Sequence, residues 1–175
     1  VHEKGELQFE KLVEAYYAPL FRFAYSLTHE ESGACDLVQE TFVVWAEKGH
    51  QLQDASKVKT WLFTTLHRRF LQNKRREIRF VHVEIEGAES ELPVLHPESV
   101  SRLDSHMVVK LLSQVNPQFQ APVALFYLED YSYNEIAEVL EVPLGTVKSR
   151  IARGLRELRE LMFDEAEGRG GEARV

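Results

Sequence analysis

Residues 131–158 read YSYNEIAEVLEVPLGTVKSRIARGLREL, and this stretch decides the fold. Ser132 and Glu135 stand at the S-x-x-E spacing of a capping box, where each side chain satisfies a backbone N–H left orphaned at a helix start. Ile136, Ala137 and Leu140 recur at helical spacing and give a short helix its buried side, with Ala137 small where a second helix must cross closely. Glu141, Val142 and Pro143 make a short turn. A second helix then starts at Gly145 or Thr146 and buries Val147, Ile151, Leu155 and Leu158. Lys148, Ser149, Arg150, Arg153 and Arg156 are left on its exposed faces. Two helices joined by a three-residue turn, the second one basic, form a helix-turn-helix. Its second helix suits the major groove, where Arg reads guanine while Ser and Lys hold phosphates. At 100° per residue Ser149, Arg153 and Arg156 share one face, which makes Arg153 the leading base-edge candidate. Lys148 and Arg150 flank that face as phosphate holders.

Upstream, Asp104, Met107, Val108, Leu111, Leu112 and Val115 set up a helix that Asn116-Pro117 ends. Phe119, Pro122, Val123, Phe126 and Tyr127 set up the next. The N-terminal half carries three more helical patterns. Phe9, Leu12, Val13, Tyr16, Tyr17 and Leu20 form one stripe. Pro19 falls inside it and either starts a second helix or kinks a continuous one. Ala34, Leu37, Val38, Thr41, Phe42 and Trp45 form a second apolar face, opposite Asp36, Gln39, Glu40, Val43 and Glu47. Gly49 is placed to end that helix. A third helix runs from Ser56, the candidate N-cap, to about Arg76, with Val58, Trp61, Leu62, Thr65 and Leu66 inward. Lys59, Phe63, His67, Arg68, Lys74 and Arg75 take its other faces. Rings that stack on bases beside cations that hold phosphates suit single-stranded DNA. Trp61 is at core spacing, so Phe63 is the aromatic expected to be available.

The stretch 79–100, RFVHVEIEGAESELPVLHPESV, holds Gly87, Pro93 and Pro97, with strand-like alternation at Val81, Val83 and Ile85 and one basic residue against five acidic ones. It reads as a mobile linker. The expected fold is all-α: two small helical domains, 1–78 and 101–163, joined by that flexible linker. The second domain holds the helix-turn-helix, and a polar, frayed tail follows at 164–175.

The chain has 175 residues and a formal net charge of -7, but its charge is segregated. Lys57 to Arg79 holds eight Lys/Arg against one Glu, and Lys148 to Arg159 holds five against one. Local patches of this kind bind nucleic acid in a chain that is acidic overall. One cysteine, Cys35, excludes an intramolecular disulfide and Cys-rich zinc modules. The seven His lack metal-ligand spacing, and no phosphate-binding glycine loop occurs, so neither a metal, a cofactor nor an enzyme is expected. No apolar run nears the length of about 18 residues that a membrane span needs, so direct membrane insertion is not expected and a cytoplasmic location is.

At three places the sequence resembles bacterial RNA polymerase sigma factors of the extracytoplasmic-function (ECF) group, the smallest sigma-70 relatives. DLVQETFVVWAEK (36–48) and SKVKTWLFTTLHRRFLQNKRR (56–76) resemble the family's second conserved region, and 131–158 resembles its second helix-turn-helix. The resemblance implies that Asp36, Leu37, Gln39, Glu40 and Phe42 bind the beta-prime clamp helices of the RNA polymerase core. It implies that Lys59, Phe63, His67, Arg68, Arg75 and Arg76 face the -10 promoter element, with the loop 49–55 holding an extruded base. Thr146, Lys148, Ser149, Arg150, Arg153 and Arg156 fall on the helix that reads the -35 element, in a domain that also docks the beta flap. An anti-sigma factor that wedges between the domains or wraps around them is a further implied partner. Arg68 stands where the family usually has Asn, Gln72 where it has Asp, Glu141 where it often has Gly, and Gly154 where Ala is more usual. The competing readings are a stand-alone helix-turn-helix regulator and a sigma-like interaction module without initiation activity.

Overall fold

A computed structural model describes residues 2–80 and 109–171. Linker residues 81–100, with the alternating stretch, and Asp104, Met107 and Val108 of the helix expected after it lie outside the described residues, whereas 79–80 end the third helix. Helix α1 spans His2–Thr28, α2 Glu31–Lys48 and α3 Val58–Phe80. Two single 3₁₀ turns, Gly49–Gln51 and Ala55–Lys57, join α2 to α3. After the linker come α4, described at 109–112, then α5 Pro117–Leu128, α6 Tyr133–Leu140 and α7 Leu144–Gly171. The described residues contain no strand.

Pro19 sits within a continuous α1. Asp54, not Ser56, caps the entry to α3, its carboxylate accepting from the Ser56 N–H at 2.9 Å. The helix starts two residues after Ser56 because a 3₁₀ turn comes first. Asn116 caps α5, accepting from the Gln118 N–H at 3.2 Å, and Pro117 takes the first turn, where no N–H is needed. The capping box is complete: the Ser132 N–H donates to Glu135 at 2.8 Å, and the Glu135 N–H donates to the Ser132 hydroxyl at 3.3 Å. The tail expected to fray stays helical through 164–171, since a helix already nucleated adds residues without a new nucleation cost.

The first unit packs Leu20, Phe23, Ala24 and Leu27 of α1 against Leu37, Val38 and Phe42 of α2 and Leu62, Phe63 and Leu66 of α3. In the second unit, Phe119, Val123 and Ala124 of α5 meet Val147, Ile151 and Leu158 of α7, with Ile136 and Leu140 of α6 alongside. Gly154 belongs to this crossing. A Cβ there would lie 2.5 Å from Val123 Cγ2 and 2.9 Å from Phe119 Cβ. The Gly departure in the reading helix is what lets α7 lie close on α5. The two units also share one continuous buried core, α5 packing on α1 and α6 on α3.

Candidate nucleic-acid interfaces

The helix-turn-helix presents its cations outward. Val147, Ile151 and Leu158 are buried, whereas Lys148, Ser149, Arg153 and Arg156 are exposed and Thr146 and Arg150 are half-buried. The Ser149 hydroxyl donates back to the Thr146 carbonyl at 3.0 Å. The turn into α7 passes through Glu141 at φ 56°, ψ 43°, a left-handed backbone that costs a non-glycine residue about 1 kcal/mol.

On α2, Asp36, Gln39, Val43 and Glu47 are exposed and Glu40 is half-buried. Leu37 and Phe42, both expected on the polymerase face, are instead buried in the first unit's core, Phe42 edge-on to Phe9 at 6.2 Å. They point inward because they share a helical face with Ala34, Val38 and Thr41.

Phe63 also departs from expectation. It is fully buried between Phe23, 5.5 Å away, and Tyr131 of the second unit, 5.3 Å away, and offers no face to a base in this conformation. The remaining residues of the expected -10 face lie along α3. Arg68, Arg75 and Arg76 are exposed, while Lys59 and His67 are half-buried. Beside them Val44, Lys48, Gln51, Leu52, Trp61, Thr65, Arg68, Arg69 and Gln72 line a cleft of about 470 Å³. Trp61 stands edge-on to Trp45 in its wall, ring centroids 5.1 Å apart. The cleft's lining combines the Trp61 indole and the apolar Val44 and Leu52 with the cations Lys48, Arg68 and Arg69.

The second unit supplies acidic partners to that face, which sequence reading missed. Arg68 donates through Nε and Nη2 to both oxygens of Glu141, at 2.9 and 2.5 Å. Lys57 donates to both oxygens of Glu138, at 2.9 and 3.1 Å. Lys59 donates to the Glu129 carbonyl at 3.3 Å and lies 4.2 Å above the Tyr131 ring. The Glu129 carboxylate takes two 3.1 Å bonds from Arg22 of α1. Burial lifts the Glu129 carboxyl to about 7 despite Arg22, and burial lowers His67 to about 4, against the pull of Glu141. Burial also lowers His29, whose Nε2 lies 3.3 Å from the Gln120 side-chain oxygen. The one available sequence signal was charge complementarity, an acidic second unit facing a basic α3.

A helix-turn-helix whose second helix is open, beside a second cationic helix and an aromatic-walled cleft, defines the class of a helix-turn-helix DNA-binding protein. Comparison with known proteins narrows this class. The sigma-70 region 2 model matches residues 12–80, and the sigma-70 region 4 model matches residues 105–158. The ECF RNA polymerase sigma factor SigL of Mycobacterium tuberculosis is 32% identical over 151 residues, 85% of this chain and 85% of that protein. The RNA polymerase sigma factor YlaC of Bacillus subtilis is 28% identical over 162 residues, 90% of this chain and 94% of that protein. The sigma factor RpoE of Bartonella quintana, solved in complex with the anti-sigma factor NepR, matches with a TM-score of 0.74 at 29% identity, over 89% of this chain and 96% of that one. This chain belongs to the ECF sigma factors of bacterial RNA polymerase and serves transcription initiation.

Proposed function

We propose that the two cationic faces divide promoter recognition between them. The exposed α7 face, with Arg153 and Ser149 at its centre and Lys148, Arg150, Thr146 and Arg156 around them, reads the -35 element as duplex. The α3 face, with Lys59, His67, Arg68, Arg75 and Arg76, holds the -10 strand, and the cleft beside Trp61 takes an unstacked base. The chain performs no bond chemistry. It lowers the cost of opening by binding the bases that opening frees, and the polymerase supplies the active site. Residues 1–78 and 101–163 act as its two domains, the first on core polymerase and the -10 element, the second on the -35 element and the beta flap.

The polymerase surface in this reading is the exposed strip Asp36, Gln39, Glu40, Val43 and Glu47, with Leu37 and Phe42 bracing it from inside. Carboxylates flanking an exposed apolar side chain, Val43 at 57%, form a small docking strip with a charged rim. An anti-sigma factor is the expected negative partner, by likeness to the Bartonella sigma factor solved with one. The site of action is the cytoplasm, where polymerase works. Among the described residues no helix is long and apolar enough to cross a membrane.

The carrying observation is the open basic face of α7 in a chain that matches both sigma-70 regions. Run-off transcription with purified polymerase core on genomic fragments tests the reading. Discrete start sites that vanish without the chain are expected, and Glu40→Lys should weaken core binding in a competition pull-down without altering the circular dichroism spectrum. Binding to DNA without any core-dependent transcript would favour a stand-alone regulator.

A further inference from the structure

Two cations of the proposed -10 face, Arg68 and Lys59, and their neighbour Lys57 are already engaged by the second unit of the same chain. Arg68 is gripped by the fork of Glu141, the two-bond geometry in which a guanidinium also takes a phosphate. Lys57 is gripped by the fork of Glu138. Lys59 is spent on the Glu129 carbonyl and the face of Tyr131. The three partners come from the end of α5, from α6 and from the turn that opens α7, all within residues 129–141. Arg68 is also a wall of the Trp61 cleft, which puts Glu141 at its rim.

We propose that the Glu138 and Glu141 carboxylates stand in for DNA phosphates, so that the closed arrangement and capture of the -10 strand on α3 exclude each other. The inference rests on the DNA reading of α3. Glycine would take the left-handed backbone at 141 with less strain, and what Glu adds there is the carboxylate on Arg68. The closure is also built to release. The Lys57–Glu138 and Arg68–Glu141 pairs are about half exposed, so salt and polyanions compete for them. At the same seam the Tyr131 hydroxyl and His29 Nδ1 are buried without a hydrogen-bond partner among the described residues. Opening the seam would give both to water. Arg75 and Arg76, farther along α3, remain exposed while the seam is shut and provide the first foothold for a strand.

The test uses the full chain, Glu138→Lys/Glu141→Lys, and the charge-matched control Glu10→Lys/Glu14→Lys on exposed positions of α1. Glu141→Gly is a further variant whose backbone is relieved rather than strained. Two measurements are made on each: the maximum dimension by small-angle X-ray scattering, and binding of a fluorescent single-stranded oligodeoxynucleotide followed by anisotropy and tryptophan emission. Trp61 and Trp45 are the chain's two tryptophans, and both adjoin the cleft or its wall, so their quenching reports strand binding on α3. The latch variant should be longer than wild type and should bind and quench about tenfold more tightly than the control, the gain expected if about a tenth of the wild type is open. Its log–log salt slope should steepen by about 0.7 for each cation released. Glu141→Gly should move the same way by a smaller amount. Equal dimensions, or affinity equal to the control's, would overturn the latch. Expansion with no strand bound by any of the proteins would instead overturn the DNA reading of α3, and with it the competition.

Discussion

The two cationic helix faces of this chain are held in opposite states. On α7, Lys148, Ser149, Arg153 and Arg156 stand in solvent, and among the described residues none of the ion pairs involves them. On α3, Lys59 and His67 are half-buried and Arg68 is committed to Glu141. The contrast follows from what each helix packs against. The inner side of α7 rests on α5, whose Phe119 and Val123 meet Gly154, and nothing among the described residues covers its outer side. The inner side of α3 rests on α1 and α2, and the side bearing Lys57 and Arg68 receives α6 and the turn after it. Under the proposed function, the α7 face is ready for duplex before the polymerase is met, and under the proposed latch the α3 face is withheld until single-stranded DNA competes for it.

The largest expected effect separates packing from contact on α3. Phe63 lies between Phe23 and Tyr131 at the seam, so Phe63→Ala should destabilise the chain by about 3–5 kcal/mol, as for other buried Phe truncations. Urea unfolding measures this, with Phe63→Leu as the milder variant that keeps most of the volume. An unchanged midpoint together with lost strand binding would return Phe63 to the DNA face and break the contrast between the two helices.

Phe63 also shows where sequence reading ended. The capping box, the turn, the buried stripe and the exposed stripe of the helix-turn-helix were all legible, because each depends on residues within four positions of one another. On α2, helical periodicity and family resemblance pulled Leu37 and Phe42 in different directions, and burial followed periodicity. On α3, Phe63 reads as available against its own helix alone, whereas Phe23 and Tyr131, distant in sequence, bury it. The same limit hid Glu129, Glu138 and Glu141 as partners of α3. Glu141 reads in the sequence as a departure from glycine, and the structure adds its left-handed backbone and Arg68 as what its side chain holds. Gly154 reads in the sequence only as a departure from Ala, whereas the missing Cβ is what admits Val123 and Phe119.

A second expectation sharpens the α7 side. Arg153→Ala should relax preference at one or two -35 positions, by about 1–3 kcal/mol for the preferred base. Lys148→Ala should weaken all sequences alike and lower the salt slope by about one unit. Binding-site selection with the full chain at several salt concentrations separates the two. If Lys148→Ala shifted the preferred sequence while Arg153→Ala weakened every site equally, the helix would sit in the groove rotated from this orientation.

The smallest effect concerns the seam itself and is nearly hidden in the wild type. Glu129 faces Arg22 from α1 and Lys59 from α3, with Asp130 beside it, and burial raises its carboxyl to about 7. A raised carboxyl stabilises the closed form fully below its ordinary value of 4.5, and that contribution is lost as pH rises through 7. His67, facing Glu141 and Arg150, is lowered to about 4. Its contribution is present above the ordinary 6.5 and is lost as pH falls through 4. His29, lowered by burial with Lys74 nearby, acts in the same direction as His67. Between pH 4.5 and 6.5 the carboxyl and the imidazoles therefore oppose each other, and stability should change little. Glu129→Gln removes one arm. The variant should lose stability on acidification from 6.5 toward 4, with a slope of up to about 1.4 kcal/mol per pH unit for each histidine. His67→Gln should flatten or reverse that trend, because Glu129 then opposes only His29. Thermal unfolding across this pH range reads both slopes. Parallel profiles for the wild type and Glu129→Gln would mean that Glu129 is ionised in the closed form, paired with Arg22 as a full salt bridge. The seam would then be held by charge on both sides, and the two cationic faces would differ by more than exposed ion pairs account for.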